Sequence, residues 1–296
     1  MKLLVTTSQS VLLVDCLSGS ATPLHRGSGL YYGIARMGGR FAVAARRRSV
    51  SSAVPRCREA GCILTFDSAF DLQTVLEAPF PLRDMHQVAT VDGHLWITCS
   101  YDDMIAIFDG ARWERWYPFP LSGNGYDHYH FNTIFIGADE IALLAHNHGS
   151  SDVHCFDRRS RAMVRTIPLG VQAHDLWIED GTLHTCSSIE SRLIAANGWS
   201  HHTGGFPRGI AITPEARCVG LSALTDRGAR DWTSGAIAVC DGAWRPRHYV
   251  HLVHEGMVLD MVAVPPSEAA VIERAHPESV AFPLYAQMTD PMLIGT

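Results

Sequence analysis

Six stretches of this chain repeat one pattern, a short run of apolar residues closed by Asp or Asn. They span 11–15, 63–67, 105–109, 153–157, 193–197 and 237–241, and end on Asp15, Asp67, Asp109, Asp157, Asn197 and Asp241. These closing residues lie 52, 42, 48, 40 and 44 positions apart. Short apolar runs bounded by turn formers read as buried strands. A repeat in the forties is the spacing of β-propeller blades, four-stranded sheets that bury their faces only by stacking on their neighbours. A second unit lies upstream of these strands and reads strand, turn, strand. Residues 86–96 and 174–184 carry it most clearly, each with an Asp-Gly pair (Asp92-Gly93 and Asp180-Gly181) that predicts a tight hairpin.

Looser copies begin at Tyr32, Asn132, Arg208 and Leu259, giving six innermost strands to match six third strands. The first Asp-closed strand precedes the first innermost strand, and the last innermost strand, near Met261, has no such strand after it. The pattern therefore predicts an all-β, six-bladed propeller whose last blade is completed by the N-terminal strands at 3–8 and 11–15. Seven blades is the alternative count. Closure by both ends of the chain removes exposed sheet edges. One domain over 1–296 is expected, with 265–296 as a C-terminal extension packed on a face or on the rim. The loop 121–127 has the most flexible composition but is too short to separate domains.

Composition adds little to the fold and more to the choice of partner. The chain is 47% hydrophobic and 18% charged, enough apolar residue for a large core. A net charge of −6 argues against a nucleic-acid partner, and the run Arg46-Arg47-Arg48 reads as a solvated strand end. No run reaches the roughly 18 apolar residues that span a membrane. Polar residues 6–10 interrupt the N-terminal apolar run, against a signal peptide. Cys99, Cys155, Cys186, Cys218 and Cys240 fall in strands, as expected of reduced, buried thiols in a cytoplasmic protein. Cys57 and Cys62 lack the second pair that a zinc site requires.

A propeller has one predictable functional place, the mouth of its central channel. Aligning the six units puts Tyr32, His86, Asn132, His174, Arg208 and Leu259 at one level, with His128, His130, His146 and His148 nearby. The preferred reading makes His86, His130 and His174 ligands of a divalent transition metal (zinc, manganese, iron or copper) that activates water or polarises a carbonyl. His146 or His148 completes the shell or moves protons, Arg208 and Tyr32 bind a small polar or anionic substrate together with Asn132, and Tyr32 also serves as an acid. Hydrolase or lyase chemistry is the working class.

A second reading uses the histidines as acid–base groups without metal, beside an Arg208 anion site. A third is a non-catalytic scaffold that binds a ligand or protein on its face. His94 and His184 read as structural, His201-His202 as a loop, and Trp96 and Trp177 as interblade core. His248, His251 and His254 fit no single sheet face. Strand alternation predicts that Asp175 points away from the channel if His174 points into it, so that Asp175 and Asp260 tie blades together.

Residues 206–212, Phe-Pro-Arg-Gly-Ile-Ala-Ile, resemble the strand opening of NHL-repeat and gluconolactonase-like six-bladed propellers. Residues 130–132 and 85–88 are similar to blade openings in a group of bacterial propellers. The gluconolactonase resemblance implies a calcium ion held by carboxylate and amide oxygens. At the matching level only Asn132 offers such an oxygen, and imidazole is a poor calcium ligand. The departure favours a transition metal over calcium and lactonase activity. The catalytic Glu of strictosidine synthase-like propellers has no counterpart at these positions.

Overall fold

A computed structural model describes residues 1–120 and 126–287. Six antiparallel sheets surround an axis, and the chain forms a six-bladed β-propeller. The innermost strands of blades 1 to 6 are Tyr31–Met37, Met85–Val91, Phe131–Ile136, Ala173–Glu179, Phe206–Ile212 and Val258–Val264. Blade 6 is completed by Lys2–Thr7, Ser10–Asp15 and Ser20–Arg26, as the order of the repeats requires. The last part of the chain runs along the rim. Helix Pro266–Ala275 buries Ala269 and Ile272 against the core between blades 6 and 1. Val280–Ala281 then pairs with the outer strand of blade 6, and Leu284–Tyr285 with that of blade 5. Most of the 121–127 loop, and residues 288–296 of the C-terminal extension, lie outside the described residues.

The closing Asp or Asn of every third strand has one physical role. Its side-chain oxygen accepts backbone N–H groups two to four residues on and starts the turn to the fourth strand. Asp15 accepts from Leu17, Asp67 from Ala69, Asp109 from Ala111, Asp157 from Ser160, Asn197 from Trp199 and Asp241 from Ala243. The Asp-Gly hairpins take positive φ at both residues, 52° and 77° for Asp92 and Gly93, and 49° and 73° for Asp180 and Gly181. These are the mirror-image turns whose twist matches the flanking strands. Trp96 and Trp177 are buried in the interblade core, and His184 is tied to its own strand through the Thr182 carbonyl. His201 and His202 lie in the fourth strand of blade 4, Ser200–His202, and not in a loop.

Near the axis every blade slips register, between Tyr32 and Ile34, Met85 and Val88, Phe131 and Thr133, His174 and Leu176, and Pro207 and Ile210, with the sixth at Thr6/Thr7. A bulge of this kind lets two successive side chains face the same way. Asp175, at φ 60°, consequently lines the channel together with His174, contrary to simple alternation. The interblade tie expected of it is also present, since its Oδ2 accepts the Gly209 N–H of blade 5. Asp260 likewise accepts the Ile34 N–H of blade 1.

In blade 1 the bulge residue is Gly33, at φ 63°, where a Cβ would stand 2.4 Å from the Val88 backbone nitrogen. Backbone atoms of blade 2 cannot yield to it. Gly33→Ala is therefore expected to destabilise the ring by about 2 kcal/mol or more in chemical denaturation. A loss below about 0.5 kcal/mol would show that the inner strands can separate at this point.

Candidate functional site

The upper mouth of the channel opens into a cavity of about 330 Å³. Tyr32, His86, His130, His146, His148 and Arg208 line it. Below it the channel narrows to a waist lined by Asn132, His174 and Asp175, with Tyr32, His86 and Arg208 at its upper edge. Asn132 is occupied there, its amide donating to the Ala173 carbonyl at 2.6 Å, and it does not reach the cavity. His128 stacks edge-on to Tyr129 and does not line the cavity.

The imidazoles form a chain around the axis. Ring centroids are 4.9 Å apart for His86 and His130, 4.9 Å for His130 and His146, 5.4 Å for His146 and His174, and 6.4 Å for His86 and His174. His130 also lies 4.8 Å from His148.

Hydrogen bonds fix which ring nitrogen faces the axis. The Ser100 hydroxyl donates to the Phe131 carbonyl, so it can only accept from His86 Nδ1, 2.9 Å away. The Asp84 carbonyl accepts from the same nitrogen at 2.8 Å. Ser188 repeats the arrangement, donating to the Pro207 carbonyl and accepting from His174 Nδ1 at 2.9 Å. His130 Nδ1 faces Asp127 Oδ1 and donates to it. In all three Nδ1 is the donor, so the neutral ring carries its lone pair on Nε2, the arrangement that outer partners impose on metal-bound histidines. His174 Nε2 is buried and has no hydrogen-bond partner.

His146 has the opposite tautomer. Its Nδ1 accepts the His148 N–H, so the neutral ring presents Nε2–H. Burial, then the neighbouring His130 and Arg208, push its pKa down to about 3. It is a hydrogen-bond donor at neutral pH, not a base. Burial likewise holds His86 and His174 well below the usual histidine range.

The loops that place these rings are pinned by carboxylates. Asp103 accepts the backbone N–H groups of His128, Tyr129 and His130 at 2.7–2.9 Å, holding His130 at φ 52°. Asp84, also at positive φ, stands beside His86 and His130. Among the described residues, two His/Asp clusters result that could coordinate a metal ion, Asp84–His86–His130 and Asp127–His130–His148, with ligand atoms within 4.8 Å of one another. They share His130. His174 belongs to neither, and approaches the rings from the waist.

Burial alone would raise the pKa of Asp84, but Arg46, followed by His86, His130 and Arg56, holds it well below the usual carboxylate range. Arg46 binds Glu59 through two nitrogens, at 2.8 and 2.6 Å, and also pairs with Asp84. Arg56 bridges Asp84 at 2.8 Å and Asp127 at 2.7 Å.

The solvated strand end expected at Arg46-Arg47-Arg48 is thus corrected. Arg46 is buried and, with Arg48, lines the cavity, because Glu59 and Asp84 supply buried counter-charges; only Arg47 points to solvent. The Cys57–Cys62 pair splits between an exposed and a buried thiol.

In the waist, burial pushes Asp175 up to about 6, and burial together with the Asp175 charge pushes Asp260 up to about 8. A raised carboxyl keeps in the folded state a proton that the unfolded chain has released above about pH 4. Its contribution to stability therefore falls as pH rises from about 4 through 8. The lowered His86, His146 and His174 act in the opposite direction, so the signature is a difference: between pH 5 and 8 urea denaturation is expected to show wild-type stability falling relative to that of Asp260→Asn. The same pH dependence in the two proteins would contradict the shared-charge picture.

No protein-family model matches the chain, and no curated protein matches it. Similarity appears among solved structures. A chain of a nidogen/laminin complex superposes with a TM-score of 0.62 at 10% identity, covering 88% of this chain and 97% of its own. A protein of unknown function from Bacteroides caccae gives 0.63 at 12% identity, with the same two coverages. An auxiliary nutrient binding protein from Bacteroides thetaiotaomicron gives 0.52 at 12%, over 73% of this chain and 62% of its own. At such identities the likeness establishes neither an NHL-repeat nor a gluconolactonase relationship, and what this chain shares with these proteins is the β-propeller fold.

Proposed function

We propose that the protein is a metal-dependent enzyme acting on a small polar or anionic metabolite at the upper mouth of its channel, by hydrolase or lyase chemistry. The observation that carries this reading is the common orientation of His86, His130 and His174, each donating through Nδ1 so that Nε2 remains as the ligand atom, with the low-pKa Asp84 beside His86 and His130. A set of imidazoles with one carboxylate suits zinc, manganese, iron or copper and excludes a calcium-type oxygen cage. His86, His130 and Asp84 would hold the ion, with His174 or His148 as a further donor. The ion would supply Lewis acidity toward a carbonyl or leaving group.

The chain's own groups do the rest. His146 Nε2–H donates to developing negative charge, Tyr32 and Arg208 orient the substrate, and Asp127 holds the His130 proton at Nδ1.

The test is turnover of a panel of esters, lactones and β-eliminable acids by protein treated with a chelator and then reloaded with single metals. Turnover that falls on chelation and returns with one metal supports the proposal. Turnover indifferent to chelation would give the site to metal-free His/Arg acid–base chemistry. Ligand binding without turnover would make it a binding propeller.

A further inference from the structure

Six arginines line the cavity wall among the described residues, and they divide into two sets. Arg46, Arg48 and Arg56 are matched by Glu59, Asp84 and Asp127, three guanidinium groups against three carboxylates. Arg208, Arg227 and Arg230, on blade 5 and its loop, form no ion pair among the described residues. Arg208 is 9% exposed, and its Nε is buried without a partner. Its remaining contacts are the Tyr32 hydroxyl at 3.3 Å and the Phe206 ring at 5.1 Å.

Arg230 is close enough to the other two for their charge to matter. Its pKa is lowered, first by burial and then by Arg208, with Tyr32 opposing, Arg227 adding to the effect and Asp226 opposing it last. Asp175 accepts the Gly209 N–H in the waist and meets Arg208 through its charge without forming an ion pair, and Asp231 accepts the Val50 and Ser51 N–H groups.

Arg208 is buried, Arg230 is half-buried and Arg227 stands exposed beside them. A guanidinium taken out of water without a paired counter-charge is costly unless an anion neutralises it. A single carboxylate would balance one of the three. A phosphate monoester brings close to two charges and three acceptor oxygens, matching the forked donors of arginine.

We infer that Arg208, Arg227 and Arg230 form an anion subsite that seats the phosphate group of a small phosphorylated substrate, in the same cavity that the histidines line. This deepens the proposed function and rests on its assignment of the cavity as the substrate site.

The experiment is calorimetric titration of the full chain with inorganic phosphate at fixed ionic strength, in parallel with malonate, with metal content measured on the same samples. Saturable phosphate binding is expected, weakened about tenfold or more in Arg208→Gln and in Arg230→Gln. Arg230 lies on a loop, so its variant tests the subsite even if Arg208→Gln fails to fold. Unchanged phosphate affinity in Arg230→Gln and Arg227→Gln would overturn the proposal, as would malonate binding more tightly than phosphate. Arginine-dependent phosphate binding by protein that retains no metal would keep the subsite and reject the metal assignment. Metal-loaded protein that ignores phosphate would do the reverse.

Discussion

Replacing His130 with alanine is expected to abolish metal retention while leaving the propeller folded. His130 is the residue common to both candidate clusters, so its loss dismantles each of them. Its ring lies between His86 and His146, and its hydrogen-bond partner Asp127 is held independently by Arg56. Removing an outer partner of a metal site lowers affinity about 10–100-fold, and removing a direct ligand should exceed that range.

His86→Ala is expected to act similarly, because it leaves Asp84 and His130 alone. His174→Ala separates the roles of waist and cavity. If its unpartnered Nε2 completes the coordination shell, occupancy falls; if the shell is Asp84, His86 and His130 alone, occupancy holds. Metal content by plasma mass spectrometry, with far-UV circular dichroism as the folding control, reads all three variants. Full occupancy in a His86→Ala, His130→Ala double variant would sink the site.

The largest effect on stability is expected at Arg46. Its side chain is 7% exposed, and its partners Glu59 and Asp84 are 0% and 3% exposed. Arg46→Met fills similar volume but leaves two buried carboxylates facing each other without their main counter-charge. Breaking a buried pair from one side costs about 3–5 kcal/mol, far more than the pair contributes relative to an apolar replacement. Arg56 and Arg48 offset part of this, since they reach Asp84 and Glu59. Arg46→Lys keeps the charge but loses the two-nitrogen grip on Glu59, and should fall between the wild type and Arg46→Met. Urea denaturation measures both. A loss below about 1 kcal/mol in Arg46→Met would mean that Arg48 and Arg56 carry the charge balance instead.

The blades were legible because one local device recurs. Each third strand ends on an Asp or Asn whose oxygen caps the following turn, so a repeated side-chain chemistry marks a repeated backbone event. Blade closure was legible from order alone, since a surplus third strand at one end must answer a surplus inner strand at the other.

The histidine level was legible for the same reason, but its chemistry was only partly so. Asp84 and Asp127 sit in connections between blades, and Arg56, Arg227 and Arg230 between the second and third strands of blades 1 and 5, where no period predicts what comes together. A signal was nonetheless present: Asp84 lies two residues before His86, and Asp127 three before His130, spacings that bring a carboxylate back onto a ring when the chain turns through positive φ. The placement of Asp175 was obscured by the inner-strand bulge, which suspends the alternation that strand residues otherwise obey. The burial of Arg46 carries no sequence signal, because a charged run at a strand end says nothing of Glu59, thirteen residues on, folding back over it.

Elemental analysis of the purified protein, before any chelator touches it, tests the metal site most directly. Near-stoichiometric zinc, manganese, iron or copper is expected, lost in His130→Ala. A wild-type protein that carries no such metal, and takes up none on reconstitution, would contradict the metal assignment.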